Sequence, residues 1–274
     1  MKEFLTRVAV AVVGIPLLIF LIWKGGVYFF GLIVLIAVVG QWELYKLASA
    51  KTVNAQKILG IITTLGILWQ VHFGVNNYGV SFLVLMALII FASEMFRNNG
   101  SPIMNISATL LGIVYPGLFV ASMLFLRDNI EKIIPGKSDN SAALFMLAMF
   151  VSVWICDTFA YLFGKQFGKH KLFERVSPKK SIEGGIAGLI GGILTFLVIS
   201  WTGILDLPIE LSIVSGIIVG VAGQLGDLVE SWFKRDAKIK DSSNLLPAHG
   251  GFLDRFDSLL FISPLFLIIY LIWI

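Results

Sequence analysis

The sequence predicts an all-α protein that crosses a membrane several times, with about nine transmembrane helices and a cytoplasmic N-terminus. Of its 274 residues, 57% are hydrophobic and only 14% are charged, whereas about a quarter of the residues in a soluble domain are charged. Several apolar runs approach the ~20 residues that a helix needs to cross the hydrocarbon core. Because no polar segment between them is long enough to fold alone, we expect a single integral membrane domain.

Nine apolar runs, separated by short polar segments, set the predicted order of the helices. The first run continues to Trp23 without a small-residue cleavage site after it, which indicates a retained helix rather than a removed signal peptide. The predicted spans are residues 5–23, 27–42, 58–73, 78–96, 103–126, 142–163, 184–204, 211–229 and 253–274. Residues 1–140 are expected to form membrane scaffold helices, and residues 141–274 a catalytic region with two cytoplasmic loops.

The distribution of positive charge predicts the orientation. With nine spans, all but four of the 21 lysines and arginines fall on the same side as the N-terminus. Cytoplasmic loops are enriched in Lys and Arg, which places the N-terminus and the loops near residues 164–183 and 230–252 in the cytoplasm. We therefore expect a multi-pass protein of the inner (plasma) membrane, whose basic loops reflect topology and not nucleic-acid binding.

Residues 231–257, with the sequence SWFKRDAKIKDSSNLLPAHGGFLDRFD, form a polar stretch between two apolar runs. Its lysines and arginines are suited to bind phosphates, and its aspartates to hold a hard metal ion. The pair Gly250-Gly251 would let the backbone approach a ligand closely. A solvated, positively charged cytoplasmic loop is the alternative interpretation, but the ordered mixture of residue types favours a substrate site.

Two further clusters lie on the predicted cytoplasmic side. Asp157 falls inside the sixth span, where a carboxylate costs several kcal/mol unless it is paired or solvated, so it is a functional candidate. Residues 177–180, Ser-Pro-Lys-Lys, are predicted to form a basic turn before a helix that starts near Glu183. Backbone N–H groups at that helix start, with Lys179 and Lys180 beside them, would bind an anion. The alternatives are a structural ion pair for Asp157 and, for the lysines, charge that only follows the topology.

A third cluster, Asp227, Glu230 and Ser231, shares one face of the eighth predicted span near its C-terminal end. The helix dipole opposes carboxylates at that end, so an offsetting cation is expected. Lys234 is one choice, and a divalent metal shared with Asp254 is the better one. Carboxylate oxygens together with water and phosphate suit Mg²⁺, whereas the sequence has no Cys/His cluster that would indicate zinc.

In order and in residue type, these stretches resemble the phosphatidate cytidylyltransferases, also called CDP-diacylglycerol synthases. The resemblance covers about residues 155–188 and 223–258, including the polar stretch 231–257. It implies transfer of the cytidylyl group of CTP to phosphatidate in phospholipid biosynthesis, with Mg²⁺ as cofactor. CTP, phosphatidate and membrane lipids are therefore the expected partners. Stripes of glycine in the seventh and eighth spans suit close helix packing, and they also admit a homodimer.

The candidate site residues fall into three sets. The catalytic candidates are Asp227, Asp254, Lys234, Arg235, His249 and Arg255. The substrate-binding candidates are Ser177, Lys179, Lys180, Ser231, Lys240, Gly250 and Gly251. The expected metal ligands are Asp227 and Asp254, supported by Asp157 and Asp257, and the number of metal ions stays open.

Two other functions are compatible with parts of this pattern. Another CTP-using membrane enzyme, such as a polyprenol kinase, would share the phosphate and metal chemistry but transfer the γ-phosphoryl group. An ion or solute transporter would use Asp157 and Asp227 within the membrane, and is expected to have two similar halves with broken helices. The sequence has no such halves, and its acidic residues gather at one predicted surface, which favours the transferase.

Overall fold

The structure is a computed structural model, and it describes residues 2–75, 78–133, 140–239, 242, 243, 245 and 250–273. Most of this part of the chain is helical. The helices are α1 (Lys2–Lys24), α2 (Gly26–Ser49), α3 (Lys57–Phe73), α4 (Gly79–Met95), α5 (Pro102–Gly112), α6 (Phe119–Ile133), α7 (Ser141–Phe167), α8 (Ile182–Trp201), α9 (Ile209–Ile217), α10 (Gln224–Asp236) and α11 (Leu253–Trp273).

Six helical stretches within the described ranges are long and apolar enough to cross a membrane. They are Gly26–Ser49, Pro102–Glu131, Ser141–Phe167, Ile182–Trp201, Ile209–Asp236 and Leu253–Trp273. Three shorter apolar helices accompany them, namely Val10–Lys24, Lys57–Phe73 and Gly79–Met95. These findings confirm a helical, multi-pass membrane protein, while the count of nine spans and the orientation of the N-terminus stay predictions.

Two of the long stretches contain a π-helical turn. Ile113–Leu118 joins α5 to α6, and Ile218–Gly223 joins α9 to α10. Pro116 lies within the first of these turns. Because proline has no N–H to donate to the preceding helical turn, a locally wider helix accommodates it without ending the span.

A short β-hairpin precedes α8, at the place where the sequence predicted a basic turn. Strand β1 (Lys171–Phe173) pairs antiparallel with strand β2 (Ser177–Ser181). Pro178 is tolerated in β2 because β2 pairs with β1 alone and keeps one edge open. Lys171 reinforces the hairpin, since its Nζ donates to the carbonyl oxygen of Pro178 at 2.8 Å. The prediction of a turn at residues 177–180 is therefore wrong, and its basic residues lie on a strand.

The chain divides into two compact units that are not contiguous in sequence. Unit 1 comprises Met1–Pro16, Gly26–Phe125 and Phe233–Arg255, and unit 2 comprises Leu17–Gly25, Leu126–Trp232 and Phe256–Ile274. Most of the polar stretch 231–257 thus packs in the same unit as helices α2 to α5. The predicted division between residues 140 and 141 stays a prediction.

Within unit 2, the glycine stripe of α8 permits close contact between helix backbones. A Cβ atom on Gly184 would lie 2.6 Å from the carbonyl oxygen of Ala160 in α7. A Cβ on Gly192, on the same stripe, would lie 2.9 Å from the carbonyl oxygen of Gly216 in α9. Packing is therefore the role of this stripe, as the sequence predicted. The homodimer that such stripes also admit stays a prediction.

Within unit 1, a buried carboxylate joins three helical segments. Glu94 of α4 is only 5% exposed. It accepts hydrogen bonds from Gln56 Nε2 and Asn105 Nδ2, each at 2.7 Å, and from the Arg97 guanidinium at 2.9 Å. Such bonds offset the cost of burying a charge, so this network is a structural fastening of the apolar helices.

Candidate functional site

A cavity of about 450 Å³, lined by apolar surface together with several charged and polar side chains, lies within unit 2. Five elements form its walls: α7, the two strands β1 and β2, the start of α8, and α10. The lining side chains that carry charge or hydrogen-bonding groups are Asp157, Tyr161, Lys165, Lys179, Lys180, Ser181, Gln224 and Asp227. Three of these are lysines and two are aspartates, so the cavity presents both signs of charge with a net positive balance. The structure thus brings together the three clusters that the sequence placed in the sixth span, the following loop and the eighth span.

Asp227 is the most highly connected acidic group of this cavity. Its Oδ2 lies 2.5 Å from Lys180 Nζ, and its Oδ1 accepts a hydrogen bond from Ser231 Oγ at 3.3 Å. The shared helix face of Asp227 and Ser231 is therefore confirmed. The cation that pairs with Asp227 is Lys180 of strand β2, whereas Lys234, one of the two offsetting cations that the sequence suggested, pairs with Asp254.

The helix that carries Asp227 is longer than the sequence predicted. The eighth span was expected to end near residue 229, but α10 continues to Asp236. Asp227 consequently lies in the first turn of α10, within a helical stretch that begins at Ile209, and the unfavourable dipole at a C-terminus does not act on it. Lys234 and Arg235 occupy the last turn instead, where the dipole favours cations.

Asp157 opens onto the same cavity from α7. Its side chain is exposed within a helix whose neighbouring residue Cys156 is buried. A carboxylate in a membrane-spanning helix is tolerated where it faces a water-filled space or a cation. Asp157 therefore stays a candidate functional acid, because it lines the same cavity as Asp227 and Lys180.

The start of α8 is less available to an anion than the sequence suggested. The N–H of Ile182 donates to the carbonyl oxygen of His170 at 2.9 Å, and the N–H of Gly184 donates to Ser181 Oγ at 3.2 Å. Ser181 is thus an N-cap of the usual kind. An anion in this cavity would therefore be attracted mainly by lysine side chains, of which Lys179 is exposed.

In unit 1, the polar stretch folds around Asp254, near the start of α11. Asp254 forms an ion pair with Lys234, and its Oδ2 accepts hydrogen bonds from the N–H of Gly251 at 2.8 Å and from Ser242 Oγ at 3.0 Å. Gly250 has a φ of +81°, which favours glycine. A Cβ on Gly251 would lie 3.0 Å from Asp254 Oδ2 and 2.9 Å from Oε1 of Glu43. The missing side chain of Gly251 therefore leaves room for Ser242, Glu43 and Asp254, side chains of the protein itself.

Glu43, in α2, is the residue of this region that the sequence analysis missed. Its carboxylate is fully buried and accepts hydrogen bonds from the middle of the polar stretch, at Ser242, and from near its C-terminal end, at Phe252 and Leu253. The predicted second span ended at residue 42, which left Glu43 in a loop, whereas α2 continues to Ser49. An acidic residue inside an apolar helix was the available signal, since such residues are rare in membrane spans.

The remaining predicted site residues are placed as follows. Lys240 and His249 lie outside the described residues. Arg235 and Arg255 are exposed, and Ser177 lies half-buried in β2. Asp257 belongs to unit 2, and the N–H of Ser258 donates to its Oδ1 at 2.6 Å. Asp227 and Asp254 belong to different units, so their sharing of a metal ion stays a prediction.

Comparison with known proteins decides the family. Residues 5–273 match the model of the cytidylyltransferase family. The chain belongs to this family. It is 34% identical over 266 residues to the phosphatidate cytidylyltransferase of Staphylococcus saprophyticus, with 95% of each chain covered. It is 33% identical over 261 residues to the enzyme of the same name from Staphylococcus haemolyticus, with 94% of this chain and 96% of that one covered. A third such relative, from Staphylococcus aureus strain COL, is 33% identical over 265 residues.

Two carboxylates in the cavity of this cytidylyltransferase are of the ligand type that Mg²⁺ prefers. Asp157 and Asp227 line one cavity, and Mg²⁺ is commonly held by one or two carboxylates together with water and substrate phosphates. Among the residues that the structure describes, no group of three His, Cys, Asp or Glu side chains is arranged to hold a metal. The donor set therefore suits a metal that binds together with the nucleotide.

Proposed function

We propose that this membrane protein transfers the cytidylyl group of CTP to phosphatidate, giving CDP-diacylglycerol and pyrophosphate. The observation that carries the proposal is the family match over residues 5–273, together with a cavity that combines lysines and carboxylates. In the reaction, a phosphate oxygen of phosphatidate forms a bond to the α-phosphorus of CTP. The bond from that phosphorus to the oxygen bridging the α- and β-phosphates breaks, and pyrophosphate leaves with the electron pair.

The chemistry of this transfer suits the residues of the cavity. The attacking phosphate is already ionised near neutral pH, so the reaction needs no strong general base. Its main difficulty is to bring two polyanions together, which positioned cations and preorganised electrostatics achieve. Lys165, Lys179 and Lys180 supply positive charge from two walls, and the Asp227 carboxylate fixes the position of Lys180. We therefore assign binding of the nucleotide phosphates to Lys165, Lys179 and Lys180.

We also propose that Mg²⁺ is the cofactor and that Asp227 and Asp157 are ligands in unit 2. When bound, the ion would withdraw charge from the phosphate that it contacts. Asp254 and Asp257 are retained as further proposed ligands, although Asp254 already accepts hydrogen bonds from Ser242 and Gly251 and pairs with Lys234. The test is turnover measured against Mg²⁺ concentration, with chelation by EDTA. Full activity in excess EDTA would contradict the proposal.

The location proposed for the enzyme is the inner (plasma) membrane, with nine spans and a cytoplasmic N-terminus. It is supported by the concentration of 17 lysines and arginines on one predicted side, the side on which CTP is made. A homodimer stays a prediction that light scattering in detergent would test. Labelling of a tag placed after residue 274 tests the topology, because the tag should react in intact cells. A tag that reacts only after permeabilisation would contradict it.

Turnover of purified protein separates the transferase from a transporter. Protein in detergent micelles, with phosphatidate, CTP and Mg²⁺ but no gradient, is expected to convert CTP into a lipid-linked product that chromatography resolves. A transporter needs two compartments, so it would consume no CTP under these conditions. Absence of a nucleotide-containing lipid, with folded protein confirmed by a thermal-unfolding curve, would refute the proposed function.

A further inference from the structure

Glu43 is a buried acidic residue of helix α2, a helix with no role in the reaction proposed above. Its side chain is 0% exposed, and a carboxylate in such a place costs several kcal/mol unless hydrogen bonds compensate for the lost water. Each of its oxygens receives two donors. Oε1 accepts from the N–H of Phe252 at 2.9 Å and from Ser243 Oγ. Oε2 accepts from the N–H of Leu253 at 2.7 Å and from Ser242 Oγ at 3.2 Å.

The two backbone donors belong to the start of a helix. Helix α11 begins at Leu253, and the first N–H groups of an α-helix have no acceptor within the helix. The positive end of the helix dipole also attracts a carboxylate. Glu43, from a helix two hundred residues away in sequence, therefore acts as the cap that α11 would otherwise need from its own chain.

The two hydroxyl donors, Ser242 Oγ and Ser243 Oγ, come from the middle of the polar stretch. Ser242 and Ser243 precede α11 in the chain, so one carboxylate holds both sides of the segment that contains Gly250 and Gly251. Ser242 Oγ also lies 3.0 Å from Asp254 Oδ2. Its single proton is shared between Glu43 and Asp254, and through it the two carboxylates are linked.

We propose that Glu43 is a positioning residue for cytidylyl transfer. It fixes Ser242, Ser243 and the start of α11, so that Asp254 and Arg255 in the first turn of α11 hold their places. The inference rests on the proposed function, because cytidylyl transfer is the reaction in which the effect is read. It adds to that function a role for α2, which touches neither substrate in this account.

Glu43→Gln is the direct test. The substitution keeps the size of the side chain but replaces one acceptor oxygen by an NH₂ group, which faces two donors. We expect kcat to fall at least about tenfold, while KM for CTP changes less than about threefold, because Glu43 acts on the position of Asp254 and Arg255 and not on nucleotide binding. Hydrogen–deuterium exchange followed by mass spectrometry should show faster exchange in the peptide that contains Phe252 and Leu253.

Glu94→Gln is the matched control. Glu94 is also a buried carboxylate of unit 1 with several hydrogen-bond donors, but those donors are Gln56, Asn105 and Arg97, away from the polar stretch. Glu94→Gln should lower the melting temperature by about as much as Glu43→Gln does. Its kcat and the hydrogen-exchange rate of the peptide that contains Phe252 should stay near the wild-type values. Activity of the wild type and of this control shows that the assay and the proposed function hold independently of Glu43.

If Glu43→Gln does not fold, the double variant Ser242→Ala/Ser243→Ala tests the same hydrogen bonds by removing the donors. The double variant removes two of the four donors and leaves the carboxylate in place, and it should lower kcat in the same direction. Added to Glu43→Gln, it should lower kcat by less than the product of the two separate effects. The proposal is overturned if these variants keep wild-type kcat, or if Glu94→Gln loses as much kcat for the same drop in melting temperature.

Discussion

Replacing Asp227 by asparagine separates the structural and chemical roles of the cavity. Asp227 and Lys180 form an ion pair at 2.5 Å, with 35% and 27% of their side chains exposed. A pair of this exposure contributes about 0–1 kcal/mol to the free energy of unfolding. Asparagine also keeps an oxygen that can accept from Ser231. We therefore expect Asp227→Asn to shift the melting temperature by no more than roughly 2–4 °C.

The expected effect of Asp227→Asn on turnover is far larger than its effect on stability. Loss of one preorganised charged group at a reacting phosphate is expected to cost on the order of 10²–10³ in rate. We predict that kcat falls at least about 100-fold, equivalent to ~2.7 kcal/mol. The assay is formation of CDP-diacylglycerol at several Mg²⁺ concentrations, with a thermal-shift measurement on the same samples.

Asp236→Asn is the control for Asp227→Asn. Asp236 lies on the same helix, α10, and pairs with Lys51 at 2.6 Å, but it is largely exposed and is not among the residues that line the cavity of unit 2. This variant should keep turnover within about twofold of wild type, because it removes only an exposed ion pair. If Asp227→Asn keeps wild-type turnover and an unchanged Mg²⁺ dependence, the assignment of Asp227 to the metal and the nucleotide is refuted.

Three further predictions concern other parts of the two units. Lys179→Ala should lower kcat/KM for CTP by about tenfold with little change in melting temperature, since an exposed lysine in the cavity wall would lose a charged contact to phosphate; unchanged kinetics would remove Lys179 from the site. Arg235→Ala and Arg255→Ala should each lower kcat/KM by more than about tenfold. Near-normal values in both variants would mean that these arginines only set the membrane orientation and bind no substrate. Gly251→Ala should destabilise the protein by ~1–3 kcal/mol in a thermal-unfolding assay, because its Cβ would overlap Ser242 Oγ and would lie 2.9 Å from Glu43 Oε1; an unchanged melting temperature would contradict the packing described for this glycine.

The sequence predicted the helical membrane class and most residues of the cavity because both leave strong local signals. Apolar runs of membrane-spanning length are read directly from composition, and charged residues inside or beside them are few. Asp157, Lys180 and Asp227 were singled out separately, from three segments, and in the structure all three line one cavity. A local sequence pattern does not reveal which side chains of distant segments pair with each other, as Lys180 does with Asp227.

The predictions that failed depended on where elements end. Hydropathy marks the apolar part of a helix, so it set the end of the eighth span near residue 229, although polar residues continue α10 to Asp236. The same effect cut the second span at residue 42 and hid Glu43. The hairpin around Pro178 is too short for an alternating pattern to be recognised, and its proline argued against a strand.

Labelled CTP tests the central claim most directly. Purified protein is incubated with phosphatidate, Mg²⁺ and CTP labelled either at the α-phosphate or at the γ-phosphate. Cytidylyl transfer predicts that the α-label appears in the lipid product and that the γ-label is released as pyrophosphate. A γ-label in the lipid, with the α-label released as CDP, would identify a kinase and contradict the account.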